Sequence, residues 1–151
     1  MCGQGVVGRY LGRVSGPLLD RIDMHVEVPR VRARDLTGRR NGEPSAAVRA
    51  RVLAARERQT RRFAHRPGTF ANAHMDARTS REACRLGPDA EALLRNAITR
   101  LGLSARAYGR ILKLARTIAD LAGSEAVAAD HVAEAVQYRS LDRDRVPVHE
   151  A

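Results

Sequence analysis

The chain has 151 residues, enough for one domain or one small domain with a tail. Its 44% hydrophobic and 29% charged residues are the balance of a globular protein rather than a disordered one. No apolar run approaches the ~20 residues of a membrane helix and no signal-like leader opens the chain, so a cytoplasmic location without a membrane partner is expected.

The net charge of +10 is lopsided. Residues 1–70 hold 15 arginines against 6 acids, whereas residues 71–151 hold 12 basic against 11 acidic residues. A basic front half implies a polyanion partner, either nucleic acid or nucleotide phosphates. An Arg- and Ala-rich composition also follows from GC-rich coding alone, so charge by itself decides nothing.

The opening, residues 1–14, is glycine-rich and carries no recognisable element. Ser15 and Pro17 then suit the start of a short helix over about 16–22, with Leu18, Leu19 and Ile22 as its apolar stripe. From Asp23 the period changes to two: Met24, Val26 and Val28 alternate with His25 and Glu27, which predicts a half-buried strand over about 23–28, closed by Pro29. Residues 30–44 form a connector with a turn at Arg39-Arg40-Asn41-Gly42.

A helix over 46–64 follows, with Ser45 as its expected cap and Val48, Val52, Ala55 and Phe63 as its apolar positions. His65-Arg66-Pro67-Gly68 stops it, and 69–87 is loop with a short helix near 79–85. Pro88 and Asp89 open a helix over 88–101, with Ala92, Leu93, Ile98 and Leu101 inward. Gly102 breaks it, and Ser104 caps a long helix over 105–122 whose apolar face holds Tyr108, Ile111, Leu112, Ala115, Ile118, Ala119 and Ala122. Gly123 closes that helix, and a last one spans about 129–138 before a charged tail. Everything after residue 45 therefore reads as a small all-α bundle with short loops.

Several chemistries find no support. Cys2 and Cys84 are far apart without metal-ligand spacing, and Cys84 suits a buried small apolar position. The histidines show no HxxxH pattern, so no metal site is expected. No GxxxxGK[ST] loop occurs, and the single lysine, Lys113, lies inside a helix. Nothing here can cradle the phosphates of ATP unaided.

The residues that stand out are Ser15 to Val28 (SGPLLDRIDMHVEV), the helix starting at Ser45, the pair Asn72-Ala73, Leu103 to Leu121 (LSARAYGRILKLARTIADL), and Gln137 to Arg143 (QYRSLDR). From about Tyr10 to Arg143 the chain resembles the C-terminal part of magnesium-chelatase-like AAA+ ATPases of the ComM/YifB type. Members of that family are longer, with an N-terminal Lon-like region and an ATPase core bearing Walker A, Walker B and sensor 1. They also have a cysteine-rich segment, of which Cys2-Gly3 looks like the last remnant.

The resemblance implies a mainly α chain: a helical AAA+ lid bundle preceded by a short helix and one strand left from a truncated α/β ATPase core. It divides the chain into a core remnant (1–44), a magnesium-chelatase-type lid (45–143) and a tail (144–151). A hexameric ATP-driven ring linked to DNA processing in natural transformation is implied. ATP and Mg²⁺ would be bound only with a complete P-loop core, so the chain alone is not expected to be an enzyme.

Arg21, in Leu-Leu-Asp-Arg-Ile-Asp, falls at the family's arginine-finger position, where a guanidinium stabilises the γ-phosphate in trans. The plainer alternative pairs it with Asp20 or Asp23 at the surface. Arg106 matches sensor 2, in the first turn of a lid helix whose N-terminus favours an anion, and is expected to reach the nucleotide of its own subunit. Arg110, one turn on, either assists or merely covers the helix surface. A rival reading takes 88–101, the turn and the helix after Ser104 as a stand-alone helix-turn-helix that binds DNA through Arg106, Tyr108 and Arg110. A long second helix with an apolar first face argues against it.

Overall fold

The structure, a computed structural model, describes residues 13, 15–19, 21–31 and 42–139. Cys2-Gly3, most of the glycine-rich opening and of the connector, and the tail from 144 lie outside the described residues. The elements in order are α1 (Gly16–Leu19), α2 (Ser45–Arg62), a 3₁₀ turn (Asn72–His74), α3 (Ala77–Ala83), α4 (Pro88–Leu101), α5 (Ala105–Leu121) and α6 (Ala129–Gln137). The protein is mainly helical, as its periodicity requires.

Helix α5 is the axis of the bundle. It packs against α6, α2, α3 and the 3₁₀ turn, while α4 packs on α6. Its stripe Ala107, Ile111, Leu112, Ala115 and Ala119 is buried, and so many alanines let the neighbouring backbones approach closely. Ser104 caps it as expected, its hydroxyl accepting from the Ala107 amide at 3.1 Å. The preceding helix stops at Gly102, whose φ of 58° lies in the left-handed region, and Leu103 N–H turns back to the Ile98 carbonyl at 3.1 Å. Ala90 and Leu94 of α4 are buried, with Leu93, Ile98 and Leu101 packed at the core margin. Ala92, expected inward, is exposed. So are Tyr108 and Ala122, which lie at the two ends of the α5 stripe.

Three further expectations need correction. Helix α1 ends at Leu19 instead of about residue 22; Leu18 and Ile22 are exposed, so no packing sustains a second turn. The strand over 23–28 does not form. Residues 24–31 carry no strand assignment, because a ladder needs a neighbouring strand and none is described. The alternation is also inverted: His25 is the buried residue, while Met24, Val26 and Val28 are exposed at 40%, 63% and 84%. The β pairing seen among the described residues is an isolated parallel bridge between Leu86 and Val127, which lead into α4 and α6. Finally, Pro44 rather than Ser45 occupies the N-cap of α2 and offers no side-chain bond. The apolar positions in the first half of α2, Val48, Val52 and Leu53, face solvent, and burial begins only at Ala55.

Candidate functional site

A groove of about 570 Å³ runs along the first turns of α5. Arg106, Tyr108, Arg110 and Lys113 line it from α5, Arg81 from α3, and Asp23 from the segment after α1. Four cationic side chains thus face one carboxylate. Arg106 is the second residue of α5 and exposed. Ser104 satisfies only the Ala107 amide, so other first-turn N–H groups have no intrahelical partner and add positive potential at the same end. Lys113 is anchored by donating to the Ala73 carbonyl at 3.0 Å, which fixes one wall against the 3₁₀ turn.

Arg110 forms an ion pair with Asp23. This pair joins the segment after Arg21 to α5. Arg21 itself is exposed in the turn after α1, its amide bonded to the Leu18 carbonyl at 2.9 Å. Asp23, one of the two carboxylates proposed as alternative partners of Arg21, is paired with Arg110, and Asp20 lies outside the described residues. Arg106 and Arg110 are brought together in the groove, and Arg21 stands two residues from the Asp23 on its wall.

Behind the groove lies a buried polar network that sequence reasoning missed. The Asp120 carboxylate, fully buried, accepts two bonds from Arg62 (2.7 and 2.5 Å) and one from the Asn72 amide at 2.8 Å. Arg116, four residues earlier on α5, approaches it at 3.1 Å. Burial pushes the Asp120 carboxyl up, but the Arg62 and Asn72 hydrogen bonds outweigh it and hold the group below the usual carboxylate range. Arg62 is raised in turn by its hydrogen bond to Asp120. Arg116 is lowered, burial outweighing Asp120, and its Nη2 and Nη1 donate to the carbonyls of Ser124 (2.6 Å) and Glu125 (2.8 Å). One network therefore joins α2, the 3₁₀ turn, α5 and the loop before α6. The available signal was the i, i+4 pair Arg116–Asp120 embedded in an apolar helix stripe, together with Asn72.

Cys84 is buried as expected, and desolvation pushes its thiol up to about 11. His131 accepts at Nδ1 from the Ala128 amide at 3.0 Å and so serves the start of α6. Among the described residues no three His, Cys, Asp or Glu side chains converge on a metal position, and no helix is long and apolar enough to cross a membrane. The residues that the helix-turn-helix reading would use, Arg106, Tyr108 and Arg110, line this groove, while α5 as a whole is packed on by four other elements.

Residues 42–139 match the family described as magnesium chelatase, subunit ChlI C-terminal, and residues 1–36 match the magnesium chelatase subunit ChlI family. The chain is 44% identical to the Competence protein ComM of Haemophilus influenzae over 89% of its own length and 26% of that protein. It is 43% identical to the uncharacterized protein YifB of Escherichia coli, again over 89% of this chain and 26% of the relative. With an uncharacterized protein of Mycobacterium tuberculosis it shares 39% identity over 96% of this chain and 28% of the relative. The chain thus spans about a quarter of the length of these relatives.

Proposed function

The chain belongs to the magnesium chelatase family, of which residues 42–139 form the C-terminal helical domain, and from that membership we propose that it serves as the lid of an AAA+ ATPase ring, closing on ATP held by a P-loop core. The observation that carries this reading is the groove at the start of α5, where Arg106 lies at a helix N-terminus with Arg81 and Lys113 on the same lining. That donor set suits a phosphate group. It does not suit Mg²⁺, since its one carboxylate, Asp23, is already paired with Arg110, so the metal falls to the core.

In this reading Arg106 is sensor 2 and binds the phosphates as the lid closes. Arg21 is the arginine finger and completes the charge stabilisation of a neighbouring subunit's site in trans, which makes hydrolysis depend on assembly into a hexamer. Arg110 does not touch phosphate but holds the finger segment through Asp23. The name of the Haemophilus relative, a competence protein, supports a link to DNA processing during natural transformation. The Arg-rich surface of α2, with Arg49, Arg51, Arg56 and Arg61 exposed, is a suitable face for phosphate backbones.

The experiment is to graft the chain onto the remainder of Haemophilus ComM in place of the matching quarter and measure ATP turnover and affinity. Arg21→Ala should lower turnover by ~10³–10⁵ with affinity kept, and mixing with P-loop-dead subunits should restore part of it. Arg106→Ala should lose affinity as well as turnover. Full activity of either variant in the grafted ring would refute its assignment.

A further inference from the structure

Between Ile22 and His25 the chain is fastened to the helical bundle at three points. The Arg139 guanidinium, fully buried just past the end of α6, donates through Nη1 to the Ile22 carbonyl. The His25 amide donates to the Tyr138 carbonyl at 2.7 Å, with the His25 ring itself buried. Asp23 between them pairs with Arg110 of α5. Such a concentration is unexpected on a stretch whose apolar side chains are otherwise left in solvent, Ile22, Met24 and Val26 among them. Hydrophobic burial is therefore not what holds it. Polar contacts are, and the largest of their side chains is an arginine 117 residues away.

A buried arginine is costly unless its donors are used. Here the guanidinium meets a backbone carbonyl, a contact that discriminates position rather than sequence. The carbonyl it takes belongs to the residue immediately after Arg21, and Arg21 is fixed to α1 by its own amide bond to Leu18.

We propose that Arg139 is a positioning residue: with the Tyr138 carbonyl and Arg110 it latches residues 22–25 onto α5 and α6, so that Arg21 and Arg106 ride on one body. Resting on the finger and sensor 2 reading above, this means that closure of the lid on one nucleotide displaces the finger presented to a second site. The residues that couple the two are Arg139, Asp23 and Arg110, none of which needs to touch nucleotide.

Amide hydrogen exchange on the full chain tests the latch without nucleotide. Because a hydrogen bond from a charged group is lost, Arg139→Gln should speed exchange of the His25 amide about tenfold or more, while amides in the middle of α5 and α6 keep their protection. Arg139→Lys, which keeps the charge but not the fork, should give a smaller increase at the same amide. An unchanged His25 amide in Arg139→Gln overturns the proposal, as does an equal loss of protection throughout α5 and α6. Should Arg139→Gln fail to fold, the Lys variant decides, and wild-type exchange at His25 overturns it. In the grafted ring, Arg139→Lys should lower turnover by up to about 10²-fold through misplacement of the finger, leaving affinity for ATP unchanged. A fall in affinity with turnover kept would overturn the coupling. Since exchange is read with no nucleotide present, failure of the latch leaves the roles of Arg21 and Arg106 standing, and their failure leaves the latch measurable.

Discussion

Asp120 is the carboxylate on which the buried polar network of this bundle converges. Its carboxylate is fully buried against Arg62, Asn72 and Arg116. Asp120→Asn would leave two guanidinium groups facing a neutral amide, and breaking a buried pair from one side costs about 3–5 kcal/mol. A thermal melt of that variant should therefore fall by roughly 6–20 °C for a chain of this size. The pH dependence has a defined sign. The folded pKa of Asp120 lies below its ordinary value of 3.8, so its contribution is present above that value and is lost as pH falls through the folded one. Melts between about pH 5 and pH 2 should show acid destabilisation that is shallower in Asp120→Asn. Cys84 provides a second residue-scale check. With its thiol pushed up to about 11 by burial, in a Cys2→Ser background it should react with a thiol reagent at pH 8 only as fast as the bundle opens. Rapid labelling of the native chain would mean that Cys84 is accessible.

At the scale of elements, the helices whose ends carry chemical punctuation were legible and those that depend on a partner were not. Pro88 and Gly102 bound α4 at the residues expected, and Ser104 starts α5, because caps and left-handed glycines act locally. The groove was legible in part: Arg106 follows from the cap, but Arg81 and Lys113 converge on it only through packing of α3 and the 3₁₀ turn against α5. The strand after Asp23 was not legible, since an alternating pattern states what a strand would bury and not whether a neighbouring strand exists. Helix α2 shows the same limit. Its Val48 and Val52 read as part of a core face, yet their exposures are 39% and 45%, Leu53 beside them is exposed at 52%, and burial begins only at Ala55. The first half of α2 is thus held by propensity and by the surface pair Arg51–Glu43, and both are weak. Leu53→Glu should accordingly change the unfolding free energy by no more than about 0.5 kcal/mol, and amides of residues 48–53 should exchange far faster than those of α5. Loss of several degrees in the Leu53→Glu melt would show that this face is covered.

For the molecule as a whole, the division between a well-packed bundle and the apolar side chains left outside it has a consequence in solution. The bundle keeps its largest buried groups fully enclosed, Arg116, Arg139, Leu94, Ile111 and Val132 among them. The segment latched to it at residues 22–25 then runs on through Val26, Val28 and Val31, exposed at 63%, 84% and 57%. Val26 and Val28 at alternate positions, with Val31 beyond them, form an exposed β-prone strip, which is the kind of surface that pairs with a second copy. Replacing Val26 and Val28 by Lys places charge on that strip without touching the core, the standard defence of a free edge. The isolated chain should therefore show a weight-average mass in sedimentation that rises with concentration, and the Val26→Lys, Val28→Lys double variant should sediment as a monomer with an unchanged melting temperature. A wild-type chain that stays monomeric at high concentration would show that the strip is masked within its own chain. Association that survives the double variant would place the contact elsewhere, with the exposed front of α2 the next surface to be tested by Leu53→Glu in the same measurement.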